Sequence, residues 1–317
     1  MKFIFNNKEY PSIDGVKKAY YGIPVPPGPD YTEPFYVENI TNSDETLSIQ
    51  KNSGSAPTIT VEVSSDKMSW SVLGTTSTTA ITRTITPGEK LYMRASANNW
   101  SSGWYSSYYS NIMKGVSKIG GNTMSLLYGS NFTGNETTFP STITRVFEAF
   151  QQGNTNLKDA SKLLLPATRV GEYCYHYMFY NCTSLTTAPE LPATTLAGDG
   201  CYRDMFERCG SLTTAPELPA TTLANYCYQD MFYGCGSLTT APELPAKTLK
   251  QECYSFMFYN CYEINNIKCL ATDISASNCL YRWVNSVNAS GTFTKAAGVE
   301  WPTGESGIPN GWTVIEV

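Results

Sequence analysis

Charged side chains are scarce in this sequence of 317 residues. Asp, Glu, Lys and Arg make up 15% of it, and 22 basic against 27 acidic residues give a formal net charge of −5. Lys and Arg form no run that would neutralise a row of phosphates, which disfavours nucleic-acid binding. Apolar runs are also short. None reaches 18 residues, so the sequence predicts no membrane insertion. The start of the chain lacks the apolar core of a secretory signal, so we expect no export by that route.

What is present is an internal repeat. The motif Cys-Tyr-x-x-Met-Phe-x-x-Cys-x-x-Leu-Thr-Thr-Ala-Pro-Glu-Leu-Pro begins at Cys174, Cys201 and Cys227, and its first half recurs at Cys253, in steps of 27, 26 and 26 residues. Such a period is typical of a solenoid. Units of this size cannot bury an apolar face alone, so we expect the copies to stack and share one core.

The two halves of a copy carry different patterns. Cys227, Met231 and Cys235 lie at i, i+4 and i+8, and Gly234 suits a helix stop, so residues 225–234 are predicted to be helical. Residues 238–245 are too rich in proline for a helix interior and favour a short strand with a bend. We therefore predict a solenoid with one short strand and one short helix per 26-residue turn.

Cysteine and histidine usage argues against a metal or a cofactor. The 10 cysteines include no Cys-x-x-Cys pair. On the predicted helix Cys227 and Cys235 are about 12 Å apart by the helical rise, beyond disulfide reach. We interpret the repeated cysteines as small buried apolar side chains.

The only histidine, His176, is the one candidate base for a catalytic triad or a Cys-His pair. Its position is Arg203, Gln229 and Ser255 in the other copies. This variation predicts an exposed face, so we expect no catalytic residue and no enzyme activity.

The N-terminal third differs from the repeats. Residues 1–22 are predicted to be a docking segment that begins with a hairpin, with strands at 2–5 and 8–10. Residues 23–30 contain four prolines and are predicted to be an extended linker. Residues 31–128 hold short runs of period two between turn signals, which predicts a β-sandwich.

One loop of the predicted sandwich is rich in aromatic residues. Trp100, Trp104 and Tyr105 lie among Ser, Gly and Asn, a composition typical of contact surfaces. We consider them candidate ligand contacts, for instance for a sugar ring. The alternative is that they pack over the end of the sandwich.

The repeats continue from a degenerate first copy to a cap. The solenoid is assigned to residues 129–284, with Phe147 and Phe150 near the position of the later Met-Phe pair. Residues 285–317, with strand patterns at 291–294 and 312–315, are predicted to be a β cap.

Polar residues recur on the strand side of the predicted solenoid. The glutamates of the Ala-Pro-Glu motif would form a column that holds Ca²⁺ or faces a cationic partner, or is simply a solvated acidic face. The threonines would form a hydroxyl ladder that binds a glycan or water. The candidate contacts on this side are Thr186, Glu190, Thr213, Glu217, Thr239 and Glu243.

Residues 232–238, Phe-Tyr-Gly-Cys-Gly-Ser-Leu, resemble the core of the BspA-like leucine-rich repeat, a family of bacterial surface antigens. The likeness covers residues 147–283, near half of the chain. It implies a leucine-rich-repeat solenoid, adhesion, and no catalytic residues to carry over. The turn is longer than in the family, and Ala-Pro-Glu-Leu-Pro replaces its alternating isoleucine strand, so we expect a less regular strand side.

The whole arrangement also resembles proteins of phages of gut Bacteroidales, in which a β domain precedes such repeats. Their Gly-Ile-Pro-x-Gly-Trp-Thr-Val ending is matched here by residues 307–314. Residues 15–22 are similar to short N-terminal repeats of phage tail and fibre proteins. The resemblance implies a virion protein that docks on other virion proteins through residues 1–22, and virion proteins need no secretory signal.

The predicted fold class is therefore β-rich α+β, with an N-terminal β-sandwich, a leucine-rich-repeat solenoid and a β cap. The first functional hypothesis is a non-enzymatic virion structural protein, a fibre, tail or capsid-decoration subunit. It would form a homo-oligomer and attach to a host-surface glycan or protein. The alternatives are a bacterial cell-surface adhesin and a glycan hydrolase that uses paired carboxylates.

Overall fold

A computed structural model divides the chain into two compact units, Met1–Asp30 and Tyr31–Val317. It describes residues 29–51, 56, 58–95, 111–139 and 144–317, and the backbone of two strands in the first unit, β1 (Phe3–Phe5) and β2 (Lys8–Tyr10). These two strands pair antiparallel, so the predicted hairpin is confirmed. The other residues of the predicted docking segment, and most of the predicted linker, lie outside the described residues.

The second unit begins with two β-sheets. Their strands are β3 (Tyr36–Glu38), β4 (Glu45–Lys51), β5 (Thr60–Ser64), β6 (Ser71–Thr75), β7 (Ile81–Ile85), β8 (Lys90–Ala95), β9 (Asn111–Lys114), β10 (Lys118–Asn122) and β11 (Asp159–Leu164). One sheet has the order β11-β10-β3-β8-β5-β6 and the other the order β7-β4-β9. All pairs are antiparallel except β10 with β11.

The two sheets contribute to one hydrophobic core. Leu47 and Ile49 alternate with more exposed neighbours along β4, and Val37 and Met93 from the larger sheet join the same buried cluster. This period of two follows from the pleat of a strand. The prediction that this part of the chain is β-rich is confirmed.

The copies of the repeat stack on one another. Phenylalanine rings at equivalent positions lie parallel, with Phe179 and Phe206 5.4 Å apart between centroids and Phe206 and Phe232 5.7 Å apart. The first copy is also stacked, but Phe147 lies parallel to Tyr175, three residues before the Met-Phe pair of that copy, and not to the pair itself. The expected shared core is therefore present.

The predicted helix in each turn is wrong, and with it the leucine-rich-repeat solenoid. Among the described residues the only α-helix is α1 (Ser125–Tyr128), outside the repeats and followed by a 3₁₀ turn, Gly129–Asn131. Residues 225–234 form consecutive tight turns, with Tyr226, Asp230 and Gly234 at φ of 57°, 55° and 73°. A left-handed residue at every fourth position keeps Cys227, Met231 and Cys235 on one side, so the spacing that predicts a helix fits this path equally well.

The tight turns are held by two sets of hydrogen bonds that alternate along the chain. The N–H of Gln229 donates to Tyr226 O within the copy, whereas the N–H of Tyr228 donates to Cys253 O of the next copy. A left-handed residue other than glycine costs roughly 1–2 kcal/mol. Bonds between copies, worth about 0.5–1.5 kcal/mol each, offset that cost.

All 10 cysteines are free and buried, as predicted. The reason is their place in the stack and not a helical separation. The thiol of Cys209 donates to Phe179 O at 3.1 Å and that of Cys235 to Phe206 O at 3.1 Å, so each links its copy to the preceding one.

The opposite side of the stack is less regular. Two-residue strands β12 (Arg169–Val170) and β13 (Thr195–Leu196) pair in parallel, and other copies contribute single parallel bridges. At the C-terminal end β14 (Asn266–Cys269), β15 (Thr292–Lys295) and β16 (Thr313–Glu316) form a parallel sheet. β15 and β16 lie close to the strand patterns predicted for the cap. No helix in the described part of the chain has the length and apolar character to cross a bilayer.

Candidate functional site

A groove of about 490 Å³ opens on the irregular side of the stack. It is lined by residues 186–192 of one copy and by residues 213–217 and Pro219 of the next. The lining consists of threonine, alanine, proline and leucine with two glutamates, and its described residues include no aromatic side chain.

The groove lies at an interruption in the backbone pairing between copies. Thr187 forms a parallel bridge with Asp159 on one side, and Thr214 forms one with Thr240 on the other. Within the described residues no backbone hydrogen bond joins 186–192 to 213–219. Proline accounts for part of this, since Pro189 lacks an N–H. The backbone groups of residues 188–192 and 215–219 make no backbone hydrogen bond within the described part of the chain, so a ligand or water can pair with them.

Four of the predicted contact residues line the groove. They are Thr186, Glu190, Thr213 and Glu217. Glu190 and Glu217 are exposed and make no ion pair within the described part of the chain. The groove therefore presents two carboxylates beside hydroxyl groups, above a floor of proline and leucine.

The other predicted contacts are placed elsewhere. Glu243 is paired with Lys268 of the next copy, with 2.9 Å between Oε2 and Nζ, and the hydroxyl of Thr239 donates to Thr213 O at 3.4 Å. Of the three equivalent glutamates expected to form a column, Glu243 is neutralised by Lys268, and the other two have no ion-pair partner among the described residues. Trp100, Trp104 and Tyr105 lie outside the described residues.

A second concavity, about 620 Å³ in volume, lies where the β-rich part meets the first copies. Its lining includes Thr41, Glu45 and Lys158. Glu45 is largely buried and already accepts a hydrogen bond from the N–H of Ser117 at 2.9 Å. The carboxylate there acts within the fold, which makes this concavity the weaker candidate.

A cluster that the sequence did not reveal surrounds His176. The ring is buried, with Nδ1 3.0 Å from Glu148 Oε1 and Nε2 3.1 Å from Asp204 Oδ2. Glu148 also accepts from Arg145 at 3.0 Å, and Arg203 Nε lies 3.1 Å from the Asp204 carboxylate. The prediction of an exposed His176 is wrong: the ring is buried between carboxylates of the two neighbouring copies, and Gln229 and Ser255 at the same position are buried too.

This cluster does not have the geometry of a catalytic triad. Both ring nitrogens of His176 face carboxylates, so neither is left to activate a serine or cysteine. Among the described residues no group of three or more His, Cys, Asp or Glu side chains is arranged to hold a metal ion.

Two further acidic residues lie beside this cluster. Burial, reinforced by the charge of Asp204, raises the pKa of Asp230 to about 7. Burial and the same neighbour raise the pKa of Glu207 to about 8. The middle copies thus contain two carboxyl groups whose pKa values are raised.

Comparison with protein-family models, with curated proteins and with solved structures found no match to this chain.

Proposed function

We propose that this chain is a non-enzymatic attachment protein that binds its target through the groove between residues 186–192 and 213–219. One observation carries the proposal. Pairing between the copies is interrupted at the level where threonine hydroxyls, backbone groups and two carboxylates face a concavity of about 490 Å³. Backbone groups in such a place need partners, and an extended ligand supplies them.

The location we propose is a phage virion, as a fibre, tail or capsid-decoration subunit. The support is the resemblance of residues 307–314 and 15–22 to segments of phage proteins. In this arrangement residues 1–22 dock on other virion proteins, residues 31–128 form a β-sandwich, and a homo-oligomer presents the stacked copies to a glycan or protein on the host surface.

The alternative is a bacterial cell-surface adhesin, supported by the resemblance of residues 232–238 to surface-antigen repeats. It uses the same groove, so binding alone does not separate the two. Neighbouring genes for capsid and tail parts, and labelling of purified particles by an antibody to this chain, favour the virion. Recovery of the chain in a bacterial envelope fraction without particles favours the adhesin.

The groove is tested with a matched pair of variants. Thr213 is exposed in the groove lining, and Thr194 is exposed outside it. We expect T213W to fill the groove and to reduce binding of the labelled full-length chain to gut Bacteroidales cells at least tenfold, as measured by flow cytometry. T194W should bind like the unmodified chain. Equal binding by both variants would remove the groove from the proposal.

A further inference from the structure

One of the three Ala-Pro-Glu carboxylates, that of Glu243, pairs with a lysine of the same chain. Glu243 Oε2 lies 2.9 Å from Lys268 Nζ, and both side chains are partly exposed, at 43% and 41%. Lys268 belongs to β14, one copy further along the stack. A glutamate in this position therefore accepts an ammonium group that lies one level away.

The two preceding glutamates have the same sequence surroundings but no such partner. Glu190 and Glu217 stand in the same Leu-Thr-Thr-Ala-Pro-Glu-Leu-Pro motif as Glu243. Lys268 occupies the position one copy after Glu243. The corresponding position after Glu190 is Glu217, and the one after Glu217 is Glu243. Both of these positions therefore hold a carboxylate where a lysine would be needed for pairing. Neither forms an ion pair among the described residues, and both line the groove.

The rest of the groove is consistent with the remainder of a lysine side chain and with an extended backbone. Pro192 and Pro219 are exposed in the lining and provide apolar surface of the kind along which the methylene groups of lysine pack. The open backbone groups on both walls suit an added strand. A volume of about 490 Å³ lies within the range of ligand sites, roughly 300–1,000 Å³.

We propose that this groove binds an extended, lysine-bearing peptide segment of the target, with the ammonium group paired to Glu190 and Glu217. The inference rests on the proposed attachment function and names the chemistry of its ligand. A neutral glycan is the less suitable occupant, because the carboxylates would remain without a cation and the described lining has no aromatic face for a sugar ring.

The test uses the full-length chain and a fluorescein-labelled peptide, acetyl-Thr-Lys-Thr-Lys-Thr-amide, with binding followed by fluorescence anisotropy. We expect saturable binding that weakens as NaCl is raised, because the pair is exposed to solvent. Acetylation of both lysines should weaken binding at least tenfold, and E190Q/E217Q should do the same. E263Q is the control, since Glu263 is an exposed glutamate outside the groove, and it should change the affinity less than twofold.

Equal affinity for the acetylated peptide, or full binding by E190Q/E217Q, would overturn the lysine assignment. The T213W variant distinguishes this from failure of the attachment function. If T213W abolishes cell binding while E190Q/E217Q retains it and a neutral glycan competes, the groove is an attachment site for a glycan and the lysine inference is wrong. If neither variant affects cell binding, both proposals fail.

Discussion

His176 Nε2 lies 3.1 Å from Asp204 Oδ2, so the only histidine of the chain links one repeat copy to the next. Its other nitrogen faces Glu148 of the preceding copy. Three copies are therefore joined by one buried side chain. The residue at this position changes from copy to copy, to Arg203, Gln229 and Ser255, while the Cys, Met and Phe positions around it stay the same.

Replacing His176 with leucine should strongly destabilise the fold. The substitution removes the partner that Glu148 and Asp204 share and leaves each buried carboxylate with an arginine alone, and removing one partner from a buried charged network typically costs about 3–5 kcal/mol. The control is K268Q, which breaks the exposed pair with Glu243 and should cost no more than about 1 kcal/mol. Urea unfolding at neutral pH measures both. Similar losses for the two variants would mean that the His176 bridge contributes little.

The free energy of unfolding should fall as pH rises from about 5 to 8. In the folded chain Asp230 has a pKa of about 7 and Glu207 a pKa of about 8, both raised first by burial. The ordinary carboxyl pKa is near 4. At a pH between about 4 and these raised values, the folded chain therefore holds protons that the unfolded chain has lost. Stability is then greatest at the acidic end of this window and is lost as pH passes through the folded pKa values.

The substitution D230N tests this assignment. An amide does not titrate, so the slope of the unfolding free energy against pH should become shallower between about pH 5 and 7. E263Q changes an exposed glutamate and should leave the slope as it is. If the unfolding free energy of D230N depended on pH as that of the unmodified chain does, groups other than Asp230 would be responsible for the pH dependence.

The stacking of the copies and the burial of their apolar residues could be predicted from the sequence, but the backbone conformation within each copy could not. A period of 26 or 27 residues and invariant Cys, Met and Phe positions predict stacking and burial, and Met205 and Phe206 are indeed fully buried. The i, i+4, i+8 spacing does not distinguish a helix from a chain of tight turns with a left-handed residue at every fourth position. The useful signal is the residue before the second cysteine. It is Asn181, Gly234 and Asn260 in three copies, all left-handed, and both types tolerate positive φ.

A substitution at Gly234 measures how much the left-handed backbone at this position costs in stability when the residue is not glycine. Its φ is 73°, yet an added Cβ would meet no atom nearer than Arg208 Cγ at 3.7 Å. Gly234→Val should therefore lower stability by about 1–2 kcal/mol through backbone strain alone. Gly236→Val is the matched control, because Gly236 does not have a left-handed φ and its Cβ would be in ordinary contact with Tyr262 at 3.5 Å. Thermal unfolding of both variants gives the comparison, and equal losses would exclude the strain.

The candidate site could be predicted only in part, for a similar reason. Repetition singles out Glu190 and Glu217 as candidates. The copies around them are nearly identical in sequence, however, so nothing in the motif indicates between which two copies the backbone pairing is interrupted. The neutralisation of Glu243 depends on Lys268, which lies beyond the last complete motif. The buried cluster could not be predicted because variation between copies indicates exposure, whereas His176, Gln229 and Ser255 at this position are all buried.

The cysteines should be inert in the folded chain despite their number. Burial raises the pKa of Cys182 and Cys235 to about 12, and the thiolate is the reactive form. We expect the thiol reagent DTNB at pH 8 to label none of the 10 cysteines in the native protein and all of them in guanidinium chloride. Thr183→Cys provides the control, since Thr183 is exposed beside Cys182 and should add one rapidly labelled thiol. Rapid labelling of the unmodified native chain would show that the cysteine ladder opens to solvent.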